Sequence, residues 1–190
     1  MKNKNCFSFR NFKYREIFQP DYVTLANQII EVCKFDTVYD IGCANAFLLH
    51  TFYTNGKRIQ GIEISNNVTA FISADILENI NIGDFSKARG QWDLVCCIEV
   101  AEHLEANRSE ELIDTLTNLA INQICFSAAP PSQPGIGHIN CQPHEYWINL
   151  FQENNWVLDR IKTDLSRKYL VNRLKIAHWL GTNIMFFHPK

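Results

Sequence analysis

A chain of 190 residues, 46% of them hydrophobic, has enough material to bury one full α/β core and leaves no room for a second folded domain. Its formal net charge of -2 supplies no global basic field, which argues against nucleic acid and acidic membrane surfaces as partners. The seven cysteines form no paired Cys-x-x-Cys framework, no apolar run spans a bilayer, and the basic stretch Met1 to Lys13 lacks the apolar core of a secretory signal, so the expected setting is reducing and cytoplasmic.

In chain order, residues 1–21 read as an N-terminal extension. Leu25, Ile29, Ile30 and Val32 then mark a helix, capped at its start by Asp21 or Thr24. The run ending at Ile41 reads as a buried strand, followed by the small-residue turn Gly42-Cys43-Ala44-Asn45-Ala46 and a helix over Phe47 to Tyr53. Short apolar runs at Ile59 to Ile64, Ile80 to Ile82, Leu94 to Ile98 and Ile121 to Phe126 are strand-like, with Cys96 and Cys97 acting inside the third as small hydrophobes. Helical patterns fall at Val68 to Leu77 and Glu110 to Leu119. A Pro/Gly-rich break from Pro130 to Gly137 precedes a helix over His144 to Asn154, a strand over Trp156 to Ile161, a basic amphipathic helix over Leu165 to Leu180 and a last strand over Asn183 to Phe187. This rhythm predicts a single domain built on a parallel, doubly wound sheet.

Small residues in the turn after the first strand let the backbone approach a ligand, and Glu63, ending the next strand, is placed to grip a ribose diol. A nucleoside-containing cofactor is expected. Alanine disfavours positive φ, so Ala44 and Ala46 predict a turn that runs in ordinary backbone space or closes slightly wider. A dinucleotide turn needs a third glycine for helix packing and for pyrophosphate, and Asn45 and Ala46 occupy that stretch instead.

Asp40, Gly42 and Glu63, then Asn81-Ile82-Gly83-Asp84-Phe85, then Trp92 to Leu104 with its Glu99-Val100-Ala101-Glu102-His103 run, occur in an order that resembles the class I S-adenosylmethionine-dependent methyltransferases. The resemblance extends from about Tyr22 to Phe187. It implies a Rossmann-like sheet of seven strands, mostly parallel with an antiparallel last strand, in the order 3-2-1-4-5-7-6. It also implies S-adenosyl-L-methionine as cofactor, held by Asp40, Gly42, Cys43, Ala44, Glu63, Ile64, Asp84, Phe85 and Glu99, with Glu63 on the ribose, Gly42 under the methionine end, and Asp84 and Phe85 beside adenine.

Methyl transfer requires nucleophile, carbon and sulfur in line, and a hydroxyl acceptor needs a base within hydrogen-bond reach. Histidines stand in suitable segments at His103, His138 and His144, the last of these read mainly as a cap of its own helix. Glu99, Glu102 and His103 fall at the carboxyl edge of the sheet, where open α/β folds bind ligands; the run also suits a plain helix-entry motif. Glu99, His103 and His138 are the catalytic candidates, and Glu99, Glu102, His103 and His138 together form a candidate divalent-metal site. Their spacing is similar to that of small-RNA 3′-terminal 2′-O-methyltransferases and ubiquinone-pathway O-methyltransferases. The expected activity is O-methylation of a small hydroxylated molecule such as a sugar, phenol or specialised metabolite. Metal-dependent RNA 3′-terminal 2′-O-methylation and a catalytically silent partner protein are the alternatives. The basic helix is read as a cap over the acceptor pocket, against a lipid-facing or merely solvated surface.

Overall fold

A computed structural model describes residues 7–190. Helix α1 (Phe9–Arg15) and a 3-10 turn lead into α2 (Gln19–Val32), after which strands and helices alternate: β1 (Thr37–Ile41), α3 (Phe47–Thr54), β2 (Arg58–Glu63), β3 (Ile80–Ile82), β4 (Trp92–Ile98), α4 (Ser109–Leu119), β5 (Ala120–Ser127), α5 (His144–Glu153), β6 (Trp156–Leu158), α6 (Arg160–Val171), α7 (His178–Asn183) and β7 (Met185–Pro189). The seven strands form one sheet in the order β3-β2-β1-β4-β5-β7-β6, with β7 antiparallel to both its neighbours, as the resemblance implies.

Side chains alternate across each strand, so successive residues enter different cores. Leu94, Cys96 and Ile98 pack with α2, α3, α6 and α7, whereas Val95 and Cys97 pack with α4 and α5. Both faces of the sheet are therefore dry, which is why β4 reads as an unbroken apolar run and not as an alternating one. Burial pushes the thiols of Cys96 and Cys97 well above their usual range, so they pack as inert apolar groups. The six described cysteines are all free.

Three local expectations give way. The stretch Val68 to Leu77 is not an α-helix but two 3-10 turns, over Asn66–Ala70 and Leu77–Asn79, because polar and β-branched residues there compete with helical bonding. The strand from Trp156 stops at Leu158, since the Asp159 carboxylate accepts from Lys162 N at 2.9 Å and starts α6. The segment Leu165 to Leu180 splits into α6 and α7, and Asp21 explains the break. Rather than capping its own helix, its carboxylate accepts from the backbone N–H groups of Lys175, Ile176 and Ala177 at 2.9, 2.8 and 2.7 Å. Burial opposes the charge on Asp21, but these donors outweigh it and hold the carboxyl below its usual range.

Between β1 and β4 the strand order reverses direction, leaving a crevice at their carboxyl ends. The turn after β1 and the Glu99 to Leu104 stretch after β4 open onto it. Over it lies the segment from Phe7 through Phe18, pinned by Asn45 Nδ2 donating to Phe12 O at 3.0 Å and Ser65 Oγ donating to Phe7 O at 3.0 Å.

Candidate active site

The turn after β1 is fixed from β2. Gly42 N and Cys43 N donate to Ile62 O at 2.8 and 3.2 Å, and Ala44 N donates to Glu63 Oε2 at 3.1 Å. Gly42 has φ +71°, and a Cβ there would lie 2.5 Å from Val100 Cγ2, so both backbone and space require glycine. The alanines do not avoid the left-handed region as expected: Ala44 has φ 45° and Ala46 φ 55°. Tertiary bonding overrides their preference, since Ala44 is tied to Glu63 and Ala46 N donates to Cys43 O at 2.8 Å.

Glu63 is buried, and its other oxygen accepts from Ser65 N at 3.0 Å. Burial raises its carboxyl above the usual range, although the backbone donors from Ser65 and Ala44 pull the other way. Each oxygen keeps a further lone pair for a ligand hydroxyl. Asp40 is buried too, and desolvation followed by the nearby Glu63 charge pushes its carboxyl well up.

A cavity of about 250 Å³ runs past Gly42, Ala44, Glu63, Ile64, Asp84 and Phe85. It therefore gathers most of the expected cofactor residues, while Asp40 and Cys43 line a smaller recess beside it with Arg15 and Tyr22. At the far end Asp84 is not left open. Arg108 grips it with two bonds of 2.8 Å and also lies 4.3 Å over the Phe85 ring, and that pairing holds the Asp84 carboxyl far below its usual range.

A second cavity, of about 310 Å³, adjoins the first; Arg15, Glu99 and His103 line both. Glu99 has φ 55°, and its carboxylate accepts from Asn183 Nδ2 at 3.1 Å on one oxygen and from Gln133 Nε2 at 2.9 Å on the other. Burial raises its carboxyl even so. Glu102 is 0% exposed, and among the described residues neither carboxylate oxygen has a hydrogen-bond partner of good geometry, although the backbone amides of Glu102 and Ala129 lie close enough to favour its charge. Desolvation, then repulsion from Glu99, pushes its carboxyl well above the usual range.

His103 and His138 face this carboxyl. The His103 ring nitrogen Nδ1 lies 3.1 Å from Gly137 O and that of His138 3.3 Å from Gln133 O, so each Nδ1 carries the proton it donates and each Nε2 is the basic nitrogen. Burial drives His103 down to about 4 and lowers His138, leaving both imidazoles neutral near pH 7. His138 Nε2 is 4.0 Å from Glu102 Oε1, and one ligand atom each from Glu102, His103 and His138 lie within 4.8 Å of one another. Glu99, expected as a fourth metal ligand, neighbours Glu102 but is not in that group, and both its oxygens already accept hydrogen bonds. His144 does not cap α5, whose N-cap is Pro143; its ring approaches Arg167 at 3.4 Å.

Several lining residues had no signal in the sequence. Arg15, Tyr22 and Trp179 belong to helices whose pattern speaks only of packing, and Asn183 reaches Glu99 from 84 positions away. Of the basic helical segment only Trp179 lines the second cavity, so α6 is not its cap.

No family model matches the chain. Over 102 residues it is 26% identical to the chloroplastic magnesium protoporphyrin IX methyltransferase of Arabidopsis thaliana, covering 50% of this chain and 33% of that protein. A ubiquinone biosynthesis O-methyltransferase of Nitrosomonas europaea is also 26% identical over 102 residues, covering 49% and 43%. The matches thus span less than half the length of these relatives. Among solved structures, magnesium protoporphyrin IX methyltransferase from Synechocystis PCC 6803 with bound SAH superposes with a TM-score of 0.67 at 16% identity, covering 90% of this chain and 83% of that one.

Proposed function

We propose that this chain, which has the fold of the class I S-adenosylmethionine-dependent methyltransferases, transfers a methyl group from S-adenosyl-L-methionine to the oxygen of a small hydroxylated acceptor. The observation that carries this reading is the pair of adjoining cavities, one running to the buried Glu63 and the other to the Glu102, His103 and His138 group, with Arg15, Glu99 and His103 common to both. The donor set of the first suits the cofactor: a carboxylate for the ribose diol, a turn with no room for a side chain at Gly42, and the Arg15 cation for the methionine carboxylate. The bound cofactor supplies an electrophilic methyl on a positively charged sulfur. A reducing, cytoplasmic setting accords with the free thiols.

In this reading the acceptor hydroxyl enters from the second cavity. Its oxygen forms the new bond to the methyl carbon as the carbon–sulfur bond breaks, and its proton passes to Nε2 of His138 or His103. Glu99, braced by Asn183 and Gln133, borders the junction of the two cavities. Incubation with methyl-labelled S-adenosylmethionine and hydroxylated acceptors should give labelled product, and His138→Ala should cut turnover by about a hundredfold to ten-thousandfold. Label transfer confined to amines or thiols would overturn the assignment to oxygen.

One observation favours a second reading, in which a divalent ion held by these two imidazoles takes the place of the histidine base. The unbonded buried carboxyl of Glu102 and two imidazoles within 4.8 Å make a three-ligand set, the number that leaves coordination positions for an acceptor oxygen. Calorimetric titration with Mn²⁺ should then show one site that Glu102→Gln removes and Glu99→Gln retains. Equal Mn²⁺ binding by wild type and Glu102→Gln would remove the metal from the account.

A further inference from the structure

Besides the Glu102, His103 and His138 group, the second cavity is lined by a cluster of rings. Tyr14, Phe18, Tyr22 and Trp179 line it, and three of them form an edge-to-face chain: Tyr14 to Phe18 at 5.6 Å and 89°, Phe18 to Trp179 at 5.5 Å and 77°. Such a chain presents ring edges and faces that a further planar ring extends more favourably than an aliphatic one. At the mouth stand Tyr14 and Ile136, 61% and 62% exposed, both lining the cavity. The polar lining consists of Glu99, Glu102, His103 and His138, together with Asn11 and Arg15 on the same helix as Tyr14. Gln133 does not add to them, since its amide is spent on Glu99 and Asn183.

The ring wall bears on the choice of acceptor. A sugar ring, puckered and with hydroxyls all round it, offers little flat apolar area to stack against aromatic faces. A planar aromatic with its hydroxyl at one end meets rings with its face and the basic nitrogens with its oxygen. About 310 Å³ matches a small-molecule site. We infer that the acceptor is a planar aromatic hydroxy compound, stacked on the Tyr14, Phe18 and Trp179 rings with its hydroxyl at His103 and His138, and able to carry an apolar substituent out past Tyr14 and Ile136. The inference rests on the methyltransferase reading for its reaction, but the ring wall stands on its own geometry.

The test is calorimetry of three probes, 2-naphthol, cyclohexanol and methyl α-glucoside, on the protein with and without S-adenosylhomocysteine. The expected result is binding of 2-naphthol tighter than that of either other probe, weakened about fivefold to tenfold in Trp179→Leu with S-adenosylhomocysteine affinity unchanged. Should Trp179→Leu fail to fold, the exposed Tyr14→Ser variant serves, with a smaller loss in the same direction. Equal or tighter binding of cyclohexanol or the glucoside, or 2-naphthol binding untouched by a folded ring variant, overturns the inference. Absence of S-adenosylhomocysteine binding with 2-naphthol still held at the ring wall would instead sink the methyltransferase reading and leave the aromatic site.

Discussion

Ala44 and Ala46 adopt left-handed backbone that an L-residue reaches only at a cost of about 1 to 2 kcal/mol each. The turn keeps that shape because Ala44 N closes onto Glu63 and the Gly42 and Cys43 amides close onto Ile62 O. Ala44→Gly relieves the strain while adding unfolded-chain entropy, so urea unfolding should show a net gain of about 0.5 to 1 kcal/mol. A loss of stability in that variant would mean the backbone there is not left-handed. The same residues mark where sequence reasoning fell short: alanine in the turn was legible as a departure, but its backbone angle depends on hydrogen bonds from another strand. Asp84 repeats the lesson. Its place at the end of β3 could be read from the motif, whereas the two bonds from Arg108, on the 3-10 turn before α4, could not.

At the scale of elements, the second cavity is bordered by the loop after β5, through Gln133, Gly135, Ile136 and His138, and by α7 through Trp179. A methyl group on Gly135 would overlap the His138 ring, so Gly135→Ala should push the imidazole aside and lower turnover while leaving S-adenosylhomocysteine affinity unchanged. Parallel loss of both would show that the loop also supports the cofactor cavity. The α6–α7 break depends on Asp21, whose three backbone bonds would be weakened in Asp21→Asn at a cost of about 1.5 to 3 kcal/mol. Because the folded carboxyl lies below its ordinary 3.8, the unfolded chain binds the proton first. The stabilisation from Asp21 is complete above that value and is lost as pH falls through the folded one. Wild type and Asp21→Asn should therefore converge in stability at strongly acid pH. A constant difference from pH 7 to pH 2 would contradict the role given to Asp21. Single helices such as α4 could be read from apolar spacing; the split at 172–177 could not, since its cause lies more than 150 residues upstream in α2.

For the molecule as a whole, the alternation of apolar runs was enough to expose the doubly wound sheet, because strands buried on both faces leave continuous signals. The resemblance then supplied the strand order, including the antiparallel β7. The junction of the cavities was legible only on one side. Residues at strand ends, Glu63 and Glu99, are fixed by the sheet, and Glu102 by the 3-10 turn that follows β4, while Arg15, Tyr22 and Trp179 come from helices whose docking no local pattern records. All of this converges on one claim, that the crevice between β1 and β4 holds S-adenosylmethionine with Glu63 on its ribose. Calorimetric titration of S-adenosylhomocysteine into wild type and Glu63→Ala tests it most directly. The account predicts one site per chain, weakened by about 1.5 to 3 kcal/mol in the variant through loss of charge-assisted hydrogen bonds. Undiminished affinity in Glu63→Ala, or tight binding of NAD with none of S-adenosylhomocysteine, would contradict it.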